Sequence, residues 1–177
     1  MNSSEKLINK VADSGLMTID LEDFFVSSEV KASFDLKEYL FMGLILKEKD
    51  FRESLKTTNW EQYRSKNVAI FCSADAIIPM WAYMLISVYL EPIAKRFYFC
   101  EPDELDDRIF FEILSSLDIM QYKDQRVIIK GCSSRPVPIS AFVKITRELR
   151  PLVRSLMYGE ACSNVPLYKQ KPVAIHT

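Results

Sequence analysis

Three cysteines of this chain stand in the same company: Cys72-Ser73, Cys132-Ser133 and Cys162-Ser163, each followed by a short loop and a proline. The first two close apolar β-branched runs, NVAIF and RVIIKG, and precede helical patterns. A thiol in that position meets unpaired backbone N–H groups and the positive end of a helix dipole, and both favour the thiolate. Thiolates suit zinc or an iron–sulfur cluster. Cys72, Cys132 and Cys162 are therefore the candidate metal ligands, with a fourth position left to Cys100, Asp75, Glu160 or His176. No C-x-x-C pair occurs, so the ligands would have to meet through the fold.

Two other uses of the same residues compete with the metal site. One is nucleophilic or sulfur-transfer chemistry at one cysteine, with Ser73, Ser133, Arg135 and backbone N–H groups holding an anion or cofactor. The cysteine-phosphatase spacing is absent, because Pro138 stands where its arginine belongs, and the single histidine, His176, lies near the C-terminus. Four glycines in the whole chain leave no phosphate-binding Gly-rich loop. The other use is structural: free cysteine packs as a small hydrophobe, and the protein would then be a scaffold or dimeric interaction module. Asp20, Glu22 and Asp23 in TIDLEDFF suit a hard cation or, more simply, a solvated strand end.

The elements that must position these residues alternate. Strand patterns at Val68–Phe71, Phe97–Phe99 and Val127–Lys130 are separated by helical ones at Pro79–Leu90, Glu104–Leu117 and Pro138–Leu149, and Leu156–Glu160 matches a further strand. Strands alternating with helices predict an α/β fold with a short, mostly parallel sheet and helices on both faces. In such a sheet, sites collect beyond the carboxyl ends of the strands, where Cys72, Cys100 and Cys132 fall. Residues 1–58 predict an N-terminal segment packed on this core: a helix over Ser3–Asp13, a strand at Leu16–Phe25, and helical stretches at Leu36–Phe41 and Ile45–Leu55. Residues 161–177 read as a tail.

Sliding Gln62–Glu101 by 59 positions onto Gln121–Glu160 gives ten identities in forty, among them Tyr63/Tyr122, Val68/Val127, Ile70/Ile129, Pro79/Pro138, Ala82/Ala141 and Leu90/Leu149. Two readings fit: a duplicated βαβ unit, or the apolar pattern and helix-opening prolines that any two such units share.

At 177 residues with 49% apolar and 27% charged side chains, the chain is long enough for a real core and is expected to fold as one domain. No apolar run approaches the roughly 18 to 20 residues of a membrane span, and the polar N-terminus predicts a cytoplasmic protein with reduced cysteines. The net charge of -1 hides an asymmetry, since residues 121–177 carry ten Lys or Arg against three acids. Without a basic run or an aromatic-interleaved motif this does not point to nucleic acid. The helix at Pro79–Leu90 is apolar nearly all round and must be buried by something, for which a homodimer is one solution.

The strings LMTIDLEDFF, LILKEKDFRESL, CSADAIIPMWAYML, VIIKGCSSRPVPISAFV and MYGEACSNVPLYK resemble an uncharacterised bacterial domain family of unknown function, number 2480, over nearly the whole chain. The resemblance transfers no activity, fold or catalytic residue. It does imply a gene neighbourhood of iron–sulfur cluster assembly, and hence assembly proteins as partners.

Overall fold

The structure is a computed structural model that describes residues 15–27, 30–131 and 134–171. The helix expected over Ser3–Asp13 lies outside the described residues, as do Cys132, Ser133 and His176. The chain divides into two compact units. One, continuous in sequence, is Val26–Ile109; the other, split in sequence, joins the residues up to Phe25 with those from Phe110 onward.

The α/β class holds, and the strands fall into two sheets of mostly parallel strands, one per unit. In chain order the elements are β1 (Leu16–Asp20), β2 (Lys31–Asp35), α1 (Glu48–Thr57), β3 (Asn67–Phe71), α2 (Met80–Leu90), β4 (Arg96–Phe99), α3 (Leu105–Ser115), β5 (Arg126–Lys130), α4 (Ile139–Leu149), β6 (Ser155–Glu160) and β7 (Ser163–Lys169). The continuous unit carries the sheet β2-β3-β4, and the split unit β1-β5-β6-β7. Every neighbouring pair is parallel except β6 with β7.

The two units are built alike, and the 59-residue offset runs through them. Asn67 stands opposite Arg96 where Arg126 stands opposite Ser155. Ser65 and Asp124 both take a positive φ, 58° and 59°, and each amide donates to the turn after the following helix, Ser65 to Ile93 and Asp124 to Leu152, both at 2.9 Å. The first strand of each unit is duplicated too. β1 pairs with β5 from Leu16 opposite Arg126, and β2 pairs with β3 from Lys31 opposite Asn67. Each of these strands ends in an Asp-Leu and a 3-10 turn, Leu21–Phe24 and Leu36–Tyr39, capped by Asp20 and Asp35. The N-terminal segment is thus an edge strand of each sheet.

Each unit has its own core. Val68, Ile70, Ala82, Ile86 and Leu90 are buried in the continuous unit, and their identical counterparts Val127, Ile129, Ala141, Ile145 and Leu149 in the split one. Tyr63 and Tyr122 are the buried last residues of equivalent 3-10 turns, Trp60–Tyr63 and Ile119–Tyr122, and burial pushes the Tyr63 phenol up to about 12. The continuous unit adds an aromatic stack in which Phe34 lies between Tyr39 and Trp60, with ring centroids 5.1 and 5.6 Å away. Trp81, Tyr83 and Tyr89 pack at the rim of that core.

Four stretches differ from the sequence expectation. The strand expected over Leu16–Phe25 ends at Asp20, whose side chain caps a 3-10 turn over Leu21–Phe24. Lys31–Asp35 forms a strand although Lys31, Ser33 and Asp35 make it half polar, because only Phe34 of that strand is fully buried. Leu36–Tyr39 is a single 3-10 turn, ended by the backbone N–H of Leu40 on Lys37. In the expected tail, Ser163–Lys169 is an antiparallel strand on β6, with Pro166 tolerated because β7 is the edge of its sheet.

Gly131 shows how tightly β5 meets the turn after β1. Its φ is +140°, and a Cβ there would stand 2.9 Å from the Leu21 Cβ and 3.3 Å from the Glu22 amide. Gly131→Ala is expected to destabilise the protein by about 2 kcal/mol or more, from strain and overpacking together. A urea unfolding curve measures it, and an unchanged midpoint would refute the close approach.

Candidate functional site

Beyond the carboxyl ends of the strands, each unit spends one of its own carboxylates on the loop that follows its second strand. In the continuous unit Asp35 accepts hydrogen bonds from the Ser73 amide at 3.0 Å, the Ser73 hydroxyl at 2.6 Å and the Lys37 amide at 2.9 Å. In the split unit the capping residue Asp20 pairs instead with Lys130 at 3.0 Å, and Lys130 also reaches Glu160 at 3.8 Å. Asp20 holds the Lys130 ammonium above its ordinary pKa. Glu22, buried to 8% exposure, takes over the loop: it accepts from the Ser134 amide at 3.0 Å and the Ser134 hydroxyl at 2.6 Å. Arg135 donates through Nη1 to the Glu22 carbonyl at 3.3 Å, and its guanidinium lies over the Phe25 ring.

These contacts place the expected anion-holding residues. Ser73 gives its amide and hydroxyl to the Asp35 carboxylate, Arg135 donates to the Glu22 backbone carbonyl, and Ser133 lies outside the described residues. Cys72 follows β3 directly and is half-buried, its Sγ 3.5 Å from the Ala74 carbonyl. Cys100 follows β4 and is buried, which pushes its thiol pKa up. Cys162 is exposed in the turn between β6 and β7. Cys72 belongs to the continuous unit and Cys162 to the split one. Among the described residues, no group of three or more His, Cys, Asp or Glu stands close enough to hold a metal ion.

A different feature of the split unit is built as a receptor. An apolar cleft of about 330 Å³ opens between α4 and the strands β5, β6 and β7. Ile129 and Tyr158 line it from the strands, Ile139, Phe142 and Thr146 from α4, Val137 from the loop before that helix, and Leu167 from β7. Phe142 meets Tyr158 edge-on, with centroids 5.8 Å apart and planes at 82°. Leu167 reaches the cleft through a β-bulge. Leu156 stands opposite Tyr168 and Met157 opposite Pro166, so Leu167 is the extra residue. Re-aiming a side chain is what a bulge next to a site does.

Sequence reasoning passes over this cleft because its residues read as core. Ile129, Val137 and Phe142 are the apolar periodicity of a buried strand and helix, and the bulge leaves no signature in SNVPLYK. The continuous unit repeats six of the seven walls as Ile70, Ile78, Met80, Tyr83, Ser87 and Phe99, including the edge-on pair, Tyr83 with Phe99 at 5.1 Å. It has no counterpart of β7 among the described residues.

The Asp35 latch makes a pH prediction. Burial pushes the Asp35 carboxyl up, but the Ser73 hydroxyl and amide, the Lys37 amide and the Lys37 charge outweigh it and hold the pKa below the ordinary value. A lowered carboxyl pKa stabilises the fold above the unfolded value near 4 and loses that stability as the pH falls through the folded value. Asp35→Asn is expected to cost about 1 kcal/mol at pH 7, discounted for partial exposure. It should also flatten the loss of stability below about pH 4. Urea midpoints between pH 7 and pH 3 check both, and parallel parent and variant curves would exclude the latch.

Among curated proteins and among solved structures, none matches this chain. A family model described as protein of unknown function (DUF2480) matches residues 5–170. That match takes in both units, with both latches and the cleft, and the chain belongs to the DUF2480 family.

Proposed function

We propose that this protein is a non-catalytic binding module whose split unit receives an apolar group in the cleft between α4 and β5, β6 and β7. The observation that carries the reading is the bulge that turns Leu167 into an otherwise open groove and completes an apolar wall. The Tyr158 phenol is the one ionisable group among the lining residues, so the chemistry of the cleft is exclusion of water from an apolar guest. A cavity of about 150 Å³ holds benzene. One of about 330 Å³ fits a bicyclic aromatic or a branched alkyl group. The thiolate-metal and sulfur-transfer readings draw on sequence pattern and resemblance, whereas this one draws on assembled geometry.

The test is a fluorescence titration with 8-anilinonaphthalene-1-sulfonate, whose fused ring matches the cleft. One saturable site is expected. Ile139 is 81% exposed at the rim, so Ile139→Glu tolerates folding while placing a charge against the guest. It should weaken the dye roughly tenfold or more, on the cost of burying apolar surface beside an unpaired charge. Met42→Glu, equally exposed outside the cleft, should leave binding unchanged. Equal binding by parent and Ile139→Glu would overturn the reading.

A further inference from the structure

The two copies of the unit differ at one place that asks for a partner. In the split unit the outer edge of β6 is covered by β7, with Leu156, Tyr158 and Glu160 opposite Tyr168, Val165 and Ser163. In the continuous unit the corresponding strand β4 is the last of its sheet, and among the described residues no strand pairs with its outer side. The Arg96 and Cys100 amides point inward, to the carbonyls of Lys66 at 3.4 Å and Ile70 at 3.3 Å. The N–H and C=O groups of Phe97 and Phe99 therefore point outward, as those of Leu156 and Tyr158 do toward β7. An open edge of this kind is a template for another strand.

Apolar surface gathers beside that edge. Phe99 is 69% exposed although it stacks edge-on against Tyr83 of α2, and Met80, Met84 and Val88 form an exposed stripe along the same helix. No residue of α2 is charged, and a helix apolar on every side is ordinarily buried all round.

We propose that two copies of the chain join here, β4 against β4 in antiparallel pairing about a two-fold axis at Tyr98. Self-pairing suits the strand's own charges. With the axis at Tyr98, Phe97 stands opposite Phe99 of the second copy and exchanges both backbone hydrogen bonds with it. Lys95 then stands opposite Glu101 of the second copy, so exposed opposite charges meet at both ends of the ladder. The axis is perpendicular to the joined sheet, which brings the two α2 helices side by side on one face. Their Met80, Met84 and Val88 stripes then cover each other, and the helices supply the apolar area that a four-residue strand pair lacks for a stable interface.

Sedimentation velocity of the full chain at about 50 µM tests the proposal. The parent should sediment at twice its 20.5 kDa. Met84→Glu, at a site 69% exposed and so tolerant of folding, should sediment as a monomer with an unchanged thermal unfolding curve. Glu101→Lys alone should raise the dimer dissociation constant roughly tenfold by setting like charges opposite each other. Adding Lys95→Glu in the same chain should restore it. A monomeric parent would overturn the proposal and leave the edge to a strand of some other protein. A Met84→Glu variant that stays dimeric, or a double reversal that fails to recover, would overturn it as well.

Discussion

The parallel pairing of β1 with β5 is the constraint on which the rest of the structure depends. Leu16 to Asp20 lie opposite Arg126 to Lys130, so the split unit cannot complete its sheet until the whole continuous unit has been threaded between them. The continuous unit meets a milder form of the same demand, with Lys31 to Asp35 opposite Asn67 to Phe71. Non-local parallel pairing has to meet its loop-closure entropy before any contact repays it. The continuous unit, with a core of its own around Phe34, Ile70 and Ile86, can gather its contacts while the second half of the split unit is still incomplete. The two Asp-Leu turns follow from the same pairing. Each sends the chain off the strand at one register position, Asp20 opposite Lys130 and Asp35 opposite Phe71, and fixes which loop the following carboxylate meets.

That geometry explains why the strand-end loops of this protein differ from the usual ligand sites of open α/β sheets. Such loops bind anions because backbone N–H groups converge there without partners. Here Asp35 and Glu22 are delivered into the two loops by the strands next door, and each takes a serine amide together with its hydroxyl. An external anion would have to displace a carboxylate already held in place. The accessible apolar relief lies one layer away, where the helix faces the strand edge. The cleft beside Phe142 and Tyr158 and the exposed Phe99 against Tyr83 are two versions of that relief.

Much of this was legible in the residues. The identities at the 59-residue offset are mostly positions the core cannot vary: Val68/Val127, Ile70/Ile129, Ala82/Ala141, Ile86/Ile145 and Leu90/Leu149 are buried in both units. Pro79 and Pro138 sit at the start of α2 and α4 as the pattern requires. The positions of Cys72 and Cys100 at strand ends were also readable, because a strand's apolar run has a visible end. What stayed hidden were facts of pairing. KASFD looks too polar for a strand until β3 is beside it, and SNVPLYK looks like a tail until β6 is. Strand pattern alone cannot choose between one sheet and two, since that depends on whether β1 and β2, both N-terminal, go to the same partner. The latches were invisible for the same reason: Glu22 and Ser134 are far apart in sequence and ordinary in type.

The two copies also differ in the charge carried by the corresponding helix. α2, MWAYMLISVYL, carries no charged residue, whereas α4, ISAFVKITREL, carries Lys144, Arg147 and Glu148. Position by position, Met80, Met84 and Val88 answer to Ile139, Val143 and Arg147, so the outer stripe of α4 ends in a cation where that of α2 stays apolar. Lys144 shows how the charged version is kept in place: it is buried, pairs with Glu148 at 2.6 Å and lies over the Phe111 ring. One scaffold has therefore been finished in two ways. The split unit caps its sheet with β7, folds Leu167 into the groove and ends the outer stripe of its helix in Arg147, with Ile139 and Val143 still exposed. In the continuous unit the helix stripe stays apolar and, among the described residues, no strand pairs with the outer side of β4. An exposed apolar helix beside an unpaired edge strand is costly for a chain that stays alone in water. The proposed β4 pairing turns on this difference between the copies: the split unit covers the outer side of β6 with β7, and among the described residues the continuous unit has no such strand.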